Sequence, residues 1–134
     1  MFAKVLTKAG QRSSTEEQLL CKHQVVGANP TAGSMVLIYI TCRDKKEARK
    51  IASYLIKRRL TACCDIFPID SIYWWNNKIV KDKEMVLILK TLKKNFTIIE
   101  REVKKLHSYN TPCILEISVS KVSSKYLRWL NKEL

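Results

Sequence analysis

Five cysteines, Cys21, Cys42, Cys63, Cys64 and Cys113, are the side chains of this chain best equipped for chemistry. Thiolates and imidazoles are the donors that soft and borderline metal ions prefer. The spacing supports no ready-made centre, however: there is no CxxC, and from residue 35 onward no His/Cys pair has the tight separation of a preformed metal site. Adjacent Cys63 and Cys64 cannot readily bridge to each other, and an odd thiol count argues against a disulfide framework. The thiols therefore read as small core residues of a protein kept in a reducing cytoplasm. A nucleophile pair of Cys63 with His107 can be written down, but no orienting acid or oxyanion loop accompanies it. The only glycines, Gly10, Gly27 and Gly33, all precede the patterned region, so no phosphate-cradling loop exists there. The expectation is a protein with no catalytic residues.

Charge raises a second possibility. The formal net charge is +13, and clustered cations supply the sequence-independent part of nucleic-acid binding. Here they are spread along helical faces, Lys45, Lys46, Arg49, Lys50, Lys57, Arg58 and Arg59 and then Lys93, Lys94, Arg101, Lys104 and Lys105, without interleaved aromatics. A solvated basic face is the better reading, and nucleic acid is not expected as a partner. No apolar run approaches the roughly 18 to 20 residues needed to cross a bilayer, so no membrane is expected either.

The elements that must position these side chains are legible from residue 35 onward. At 134 residues, 46% of them hydrophobic, the chain has room for one globular domain. Residues 1–34 carry no periodicity and end in Gly33-Ser34 before Met35. They read as an expression-derived leader, with a poorly ordered native extension as the other option, and the domain is placed at 35–134. "VLIYIT" at 36–41 is β-branched and apolar, a buried strand. Asp44 and Glu47 form a capping-box-like start for a helix that carries Ala48, Ile51, Ala52 and Leu55 on one face. Two extended segments, 60–75, which Pro68 is expected to interrupt, and 78–91, flank Asn76-Asn77, residues that tolerate a tight hairpin turn. Phe96, Ile99, Val103 and Leu106 mark a second amphipathic helix; Cys113, Leu115, Ile117 and Val119 alternate as a half-buried strand; and Ser123 or Ser124 can cap a last helix.

The order βαββαβ with a final helix predicts an α+β, ferredoxin-like fold with a long central hairpin and a C-terminal helix. Right-handed crossovers put both main helices on one face of the sheet. The strands disagree with that arrangement: Met85, Leu87 and Leu89 alternate with Val86 and Ile88, and 36–40 is apolar on both faces. A domain of this size has no spare element for the bare face, so further copies of the chain are expected to cover it, with the hairpin pairing against a neighbour. RNA-recognition domains share the βαββαβ order, but "KEMVLILK" at 83–90 lacks their base-stacking aromatics.

Five motifs in register, "RLTAC" at 59–63, "SIYWWNNKI" at 71–79, "ILKT" at 88–91, "LHSYNTP" at 106–112 and "YLRWL" at 126–130, resemble those of the CutA divalent-cation-tolerance proteins. The resemblance covers the whole patterned region. It implies a homotrimer similar in architecture to the PII signalling proteins, with copper or another divalent cation as a non-obligatory ligand. It matches Cys63 and His107 as metal ligands, with Cys113 as an additional thiol, and it places Tyr73, Trp74, Trp75 and Trp129 in the trimer interface. Trp74 and Trp75 are adjacent on a strand and so point to opposite faces, which one core cannot accommodate. The bland alternatives are that Cys63 is a small strand residue and that His107 caps a helix C-terminus. Departures from the family pattern, Asn77 in place of glycine, lysines within "VKDKE" at 80–84, Asp65 and Cys113, touch the details of a site and not the fold. A small metabolite held in a basic cleft by Lys90, Lys78 or Arg59 is the alternative to metal.

Overall fold

Alternation in the first strand decides which side of the sheet becomes the core. The computed structural model of the chain describes residues 34–134, so the expectation for the leader, Ser34 apart, lies outside the described residues. In β1 (Met35–Cys42), Val36, Ile38, Ile40 and Cys42 are fully buried, while Leu37, Tyr39 and Thr41 on the other face are half-buried. Helix α1 (Lys45–Lys57) starts at Asp44, whose Oδ1 accepts the Glu47 N–H at 2.8 Å. It ends with Arg59 N–H donating to Ile56 O and Leu60 N–H to Leu55 O, a Schellman closure with Arg59 at φ 53°.

Strands β2 (Cys63–Trp75) and β3 (Lys78–Leu92) form the long hairpin. Asn76 and Asn77 both have positive φ, 51° and 63°, the backbone that a tight two-residue hairpin turn requires. Pro68 does not interrupt β2: the strand runs through it, because β2 is an edge of the sheet and its missing N–H breaks no inner ladder. A short 3-10 turn leads into α2 (Phe96–Leu106). Then come β4 (Ile114–Ser118) and α3 (Ser124–Glu133), the latter capped by Ser123 Oγ, which accepts the Tyr126 N–H at 3.4 Å. Cys113 lies just outside β4, where the sequence pattern extended the strand to include it.

The four strands lie in the order β2-β3-β1-β4, all neighbours antiparallel. This is the ferredoxin-like α+β arrangement that the element order predicts. Both α1 and α2 cover the same face, where Ile51, Leu55, Ile99 and Val103 pack on Ile38, Ile40, Leu87 and Leu89. A smaller cluster, Met35, Leu92, Leu127 and Leu130, with Leu37 packed against it, holds α3 on the opposite face of the sheet at one end, so the face expected to be bare is covered there and open only beyond it.

Two consequences bear on function. First, β1 pairs with β3 only as far as Met85, whereas β2 and β3 continue to Trp75 and Lys78. The hairpin beyond Ile69 and Glu84 is thus a two-stranded ribbon about 20 Å long at the usual rise of a strand. Its Ile72, Trp74 and Ile79 are 68%, 71% and 61% exposed. Second, the face away from α1 and α2, beyond the end that α3 covers, shows Phe67, Leu115 and Ile117 at 39%, 51% and 44% exposure. Isolated exposed leucines need no explanation, but a set sharing one sheet face does.

Candidate functional site

At one end of the sheet, three chain segments meet around buried polar groups. Cys42 closes β1, Glu47 stands in the first turn of α1, and His107 is the residue at which α2 stops. All three are buried, and their donor atoms lie within 4.8 Å of one another. Glu47 holds the junction: its Oε2 accepts the Arg43 N–H at 2.8 Å, and its Oε1 accepts the Ser108 N–H at 2.6 Å. The capping box expected from the sequence is therefore shifted by one residue, with Glu47 reaching Arg43 N–H and not that of Asp44.

The hydrogen bonds of His107 settle its tautomer. Nε2 lies 2.8 Å from the Thr41 carbonyl, which can only accept, so Nε2 carries the proton. Nδ1 accepts the Tyr109 N–H at 3.0 Å and stands 3.8 Å from Glu47 Oε1. The backbone of His107 does end the helix, through its N–H to Val103 O, but its ring is directed at β1 and not at the helix carbonyls. Burial, then the negative charges of Glu47, Glu84 and Asp44, push the Cys42 thiol up to about 12. Burial also acts to raise Glu47, but the Arg43 N–H, the hydroxyl and N–H of Ser108, and then His107 outweigh it and leave that carboxyl below its ordinary value.

Of the ligands predicted from the sequence, the structure brings His107 and Cys113 to the same end of the sheet and leaves Cys63 at the other. Cys63 pairs with Lys90, and Lys90 with Leu37, whereas the His107 ring bonds at Thr41. Four residues of strand, about 13 Å, separate the two positions. Cys63 instead sits beside an ion pair between Lys90 Nζ and Asp65 Oδ2 at 2.9 Å, with its Sγ 3.9 Å from Asp65 Oδ1. Cys113 lines an open cavity of about 690 Å³ between the base of the hairpin and the 109–113 loop. Across that cavity the Tyr109 hydroxyl donates to Glu84 Oε2 at 2.8 Å, while nearer the ribbon Tyr73 donates to Asp82 at 3.4 Å. Burial, then the charge of Glu84, raises the Cys113 thiol.

The residues suggested for a basic cleft do not converge within one chain. Lys78 is at the hairpin tip opposite Trp75, Lys90 holds Asp65, and Arg59 bonds the Glu133 carbonyl at 2.9 Å. Trp129 packs on Tyr126, ring centroids 5.5 Å apart, beside the small cluster under α3. Cys42 and Glu47 were missed as possible ligands. Glu47 had a sufficient local reading as a cap, and no spacing ties either residue to a histidine some sixty positions on.

Comparison with known proteins now bears on these positions. The family described as CutA1 divalent ion tolerance protein matches residues 36–133. This chain belongs to that family. A protein from Archaeoglobus fulgidus named divalent-cation tolerance protein CutA is 41% identical over 95 residues, covering 71% of this chain and 93% of its own length. Its namesake from Thermotoga maritima is 38% identical over 100 residues, 75% of this chain and 99% of that protein. Among solved structures, a CutA from A. fulgidus described as a periplasmic divalent cation tolerance protein superposes with a TM-score of 0.73 at 39% identity, covering 74% of this chain and 97% of that one. CutA1 from Oryza sativa also gives 0.73, at 30% identity, over 77% and 96% of the respective chains. The family's names describe tolerance of divalent ions and name no reaction.

Proposed function

We propose that this chain is a non-catalytic divalent-cation tolerance protein that works as a homotrimer and binds a divalent metal such as copper. One observation carries the assembly: Phe67, Tyr73, Trp75, Leu115 and Ile117 stand partly open to water on the side of the sheet that α3 covers only at one end, while α1 and α2 pack the other side. Burying apolar surface is worth roughly 25 cal/mol per Å², so identical chains that cover this face for one another gain on every strand. Three copies are what the resemblance implies, with Trp74 and Trp129 joining the same contacts. Sedimentation equilibrium tests this reading. A trimer mass at micromolar concentration is expected, and a stable monomer overturns it.

The metal part draws on the family name and on thiol and imidazole donors suited to copper. Cys63 lies far from His107 within one chain, so copper titration of Cys63→Ala, His107→Ala and Cys113→Ala separates their contributions. Loss of saturable binding in His107→Ala is the expected result, and a wild-type chain that takes up no metal refutes the proposal. Among the described residues Cys42, Cys63, Cys64 and Cys113 are free thiols, and none of the helices is long and apolar enough to cross a membrane. Free thiols fit a reducing compartment, and we place the protein in the cytoplasm; cell fractionation checks that placement.

The cavity beside the hairpin supports a second reading, the sensing of a small molecule between subunits. Titration with ATP, run separately from copper, tells the two apart.

A further inference from the structure

We propose that Cys42 Sγ, a Glu47 carboxylate oxygen and His107 Nδ1 form a three-donor site for a borderline divalent ion such as zinc, open to a fourth, exogenous ligand. The inference rests on the metal-handling reading above and names a site for it that the motif spacing did not reveal.

The geometry is close to what coordination needs. Around a tetrahedral ion, with zinc at about 2.0 to 2.3 Å from N, O and S donors, ligand atoms lie about 3.4 to 3.6 Å apart. Here Nδ1 and Oε1 are 3.8 Å apart, and all three donors fall within 4.8 Å. Closing that gap takes a movement of about 1 Å, within the reach of side-chain adjustment. A sulfur, a nitrogen and an oxygen together suit a borderline ion better than a hard one such as magnesium.

The surroundings are also those of a ligand histidine. A metal-binding imidazole is normally oriented by donating its other N–H to a carbonyl or carboxylate. The Nε2–H of His107 does this to Thr41 O, fixing the lone pair on Nδ1, which stands 3.8 Å from Glu47 Oε1. The carboxylate oxygen has two lone pairs, so Oε1 can keep the Ser108 N–H while binding an ion, and Oε2 keeps Arg43. Nδ1 has only one lone pair. Binding therefore exchanges a single bond, the Tyr109 N–H to Nδ1, for the metal. That N–H belongs to a loop whose neighbours Ser108 and Asn110 are exposed, so water can take over as its partner and an ion has a way in.

The proton count is definite. Cys42 enters as a thiol and binds as a thiolate, so its S–H bond breaks, an S–metal bond forms, and one proton passes to solvent. His107 and Glu47 bind through lone pairs that already exist. Zinc uptake at neutral pH should therefore release one proton per site, and binding should weaken as the pH falls.

Zinc added to the full chain under reducing conditions, with cobalt(II) as a spectroscopic stand-in, tests the site. One ion per chain is expected, with one proton released into weak buffer and a thiolate-to-cobalt charge-transfer band. Cys42→Ser should abolish that band, while Glu47→Gln and His107→Gln should each cut zinc affinity by at least about 100-fold. The double variant Cys63→Ala, Cys113→Ala should keep both band and affinity. Its retention also serves where a Cys42 or His107 variant fails to fold, because it leaves Cys42 and Cys64 as the thiols of the described domain, and Cys64→Ala then decides between them. Zinc bound equally well by all three single variants overturns this site and leaves the metal-handling reading standing. Absence of zinc binding to the unaltered chain overturns this site, and the copper titration described above then decides the metal-handling reading separately.

Discussion

Lys90 shows how one side chain ties the two central features of the sheet together. It pairs with Asp65 at 2.9 Å on the face away from α1 and α2, and its Nζ stands 6.0 Å from the ring centroid of Tyr126 in α3, which covers that end of the face. Burial works to lower its pKa, but the Asp65 bond and the negative groups nearby leave it raised. A raised folded-state value means that the ion pair stabilises fully below the ordinary lysine value and is lost as pH rises through the raised one. Asp65 is half-exposed, so solvent screening keeps the contribution under about 1 kcal/mol. Urea unfolding at about pH 8 and about pH 11 should show a gap between wild type and Lys90→Gln that narrows at the higher pH. A constant gap would mean that the ammonium contributes only its packing. At the other extreme of burial, Ile38 is wholly inaccessible beneath both helices. Ile38→Ala should cost about 2 to 5 kcal/mol in chemical denaturation, and a loss well below that would mean the core relaxes around the gap.

Among the elements, α1 is the best specified, with one exception at its end. Asp44 caps its start, and four apolar positions one and three residues apart seat it on the sheet. Its last turn closes on Arg59 at φ 53°, a backbone state that favours glycine because a Cβ crowds the neighbouring carbonyl. What holds arginine there is its side chain, which reaches the Glu133 carbonyl at 2.9 Å and so fastens α1 to the C-terminal helix. Arg59→Gly thus relieves the backbone and severs the tie. Arg59→Asn, tolerant of the same φ, separates the two effects: if the tie matters more, thermal melting should place both variants below wild type by a few degrees, an effect of about 1 kcal/mol. Both melting above wild type would show that backbone strain outweighs the tie. The hairpin turn needs no such aid, since asparagine suits both of its positive φ values.

At the scale of the whole molecule, the imbalance between the two sheet faces dominates. One side is sealed by α1 and α2; the other leaves Leu115 and Ile117 about half exposed and projects a ribbon tipped with Trp74 and Trp75. On the trimer reading, Ile117→Lys places a charge where neighbouring chains must meet. It should shift the protein to monomers in sedimentation while its circular dichroism keeps the native helix and strand content, because residue 117 takes no part in either buried cluster. A variant that still sediments as a trimer would move the contact elsewhere on the chain. Trp75→Ala should weaken assembly less than the charge does, since it removes area without burying an unpaired cation.

Local patterns alone determined most of this architecture. Strand alternation, the two amphipathic helices, the asparagine turn and the serine and aspartate caps each act over a few residues, and right-handed crossovers leave one topology compatible with their order. The doubly apolar strands likewise declared a face that one chain cannot cover. The meeting of Cys42, Glu47 and His107 was decided only by tertiary structure. It depends on how far α2 runs before it stops and on the register that sets Thr41 beside that stop, and side chains sixty residues apart leave no periodic trace in a sequence. The same register sent Cys63 to the far end of the sheet. Residue types announced which chemistry was available; which of them could share an ion was a matter of strand pairing.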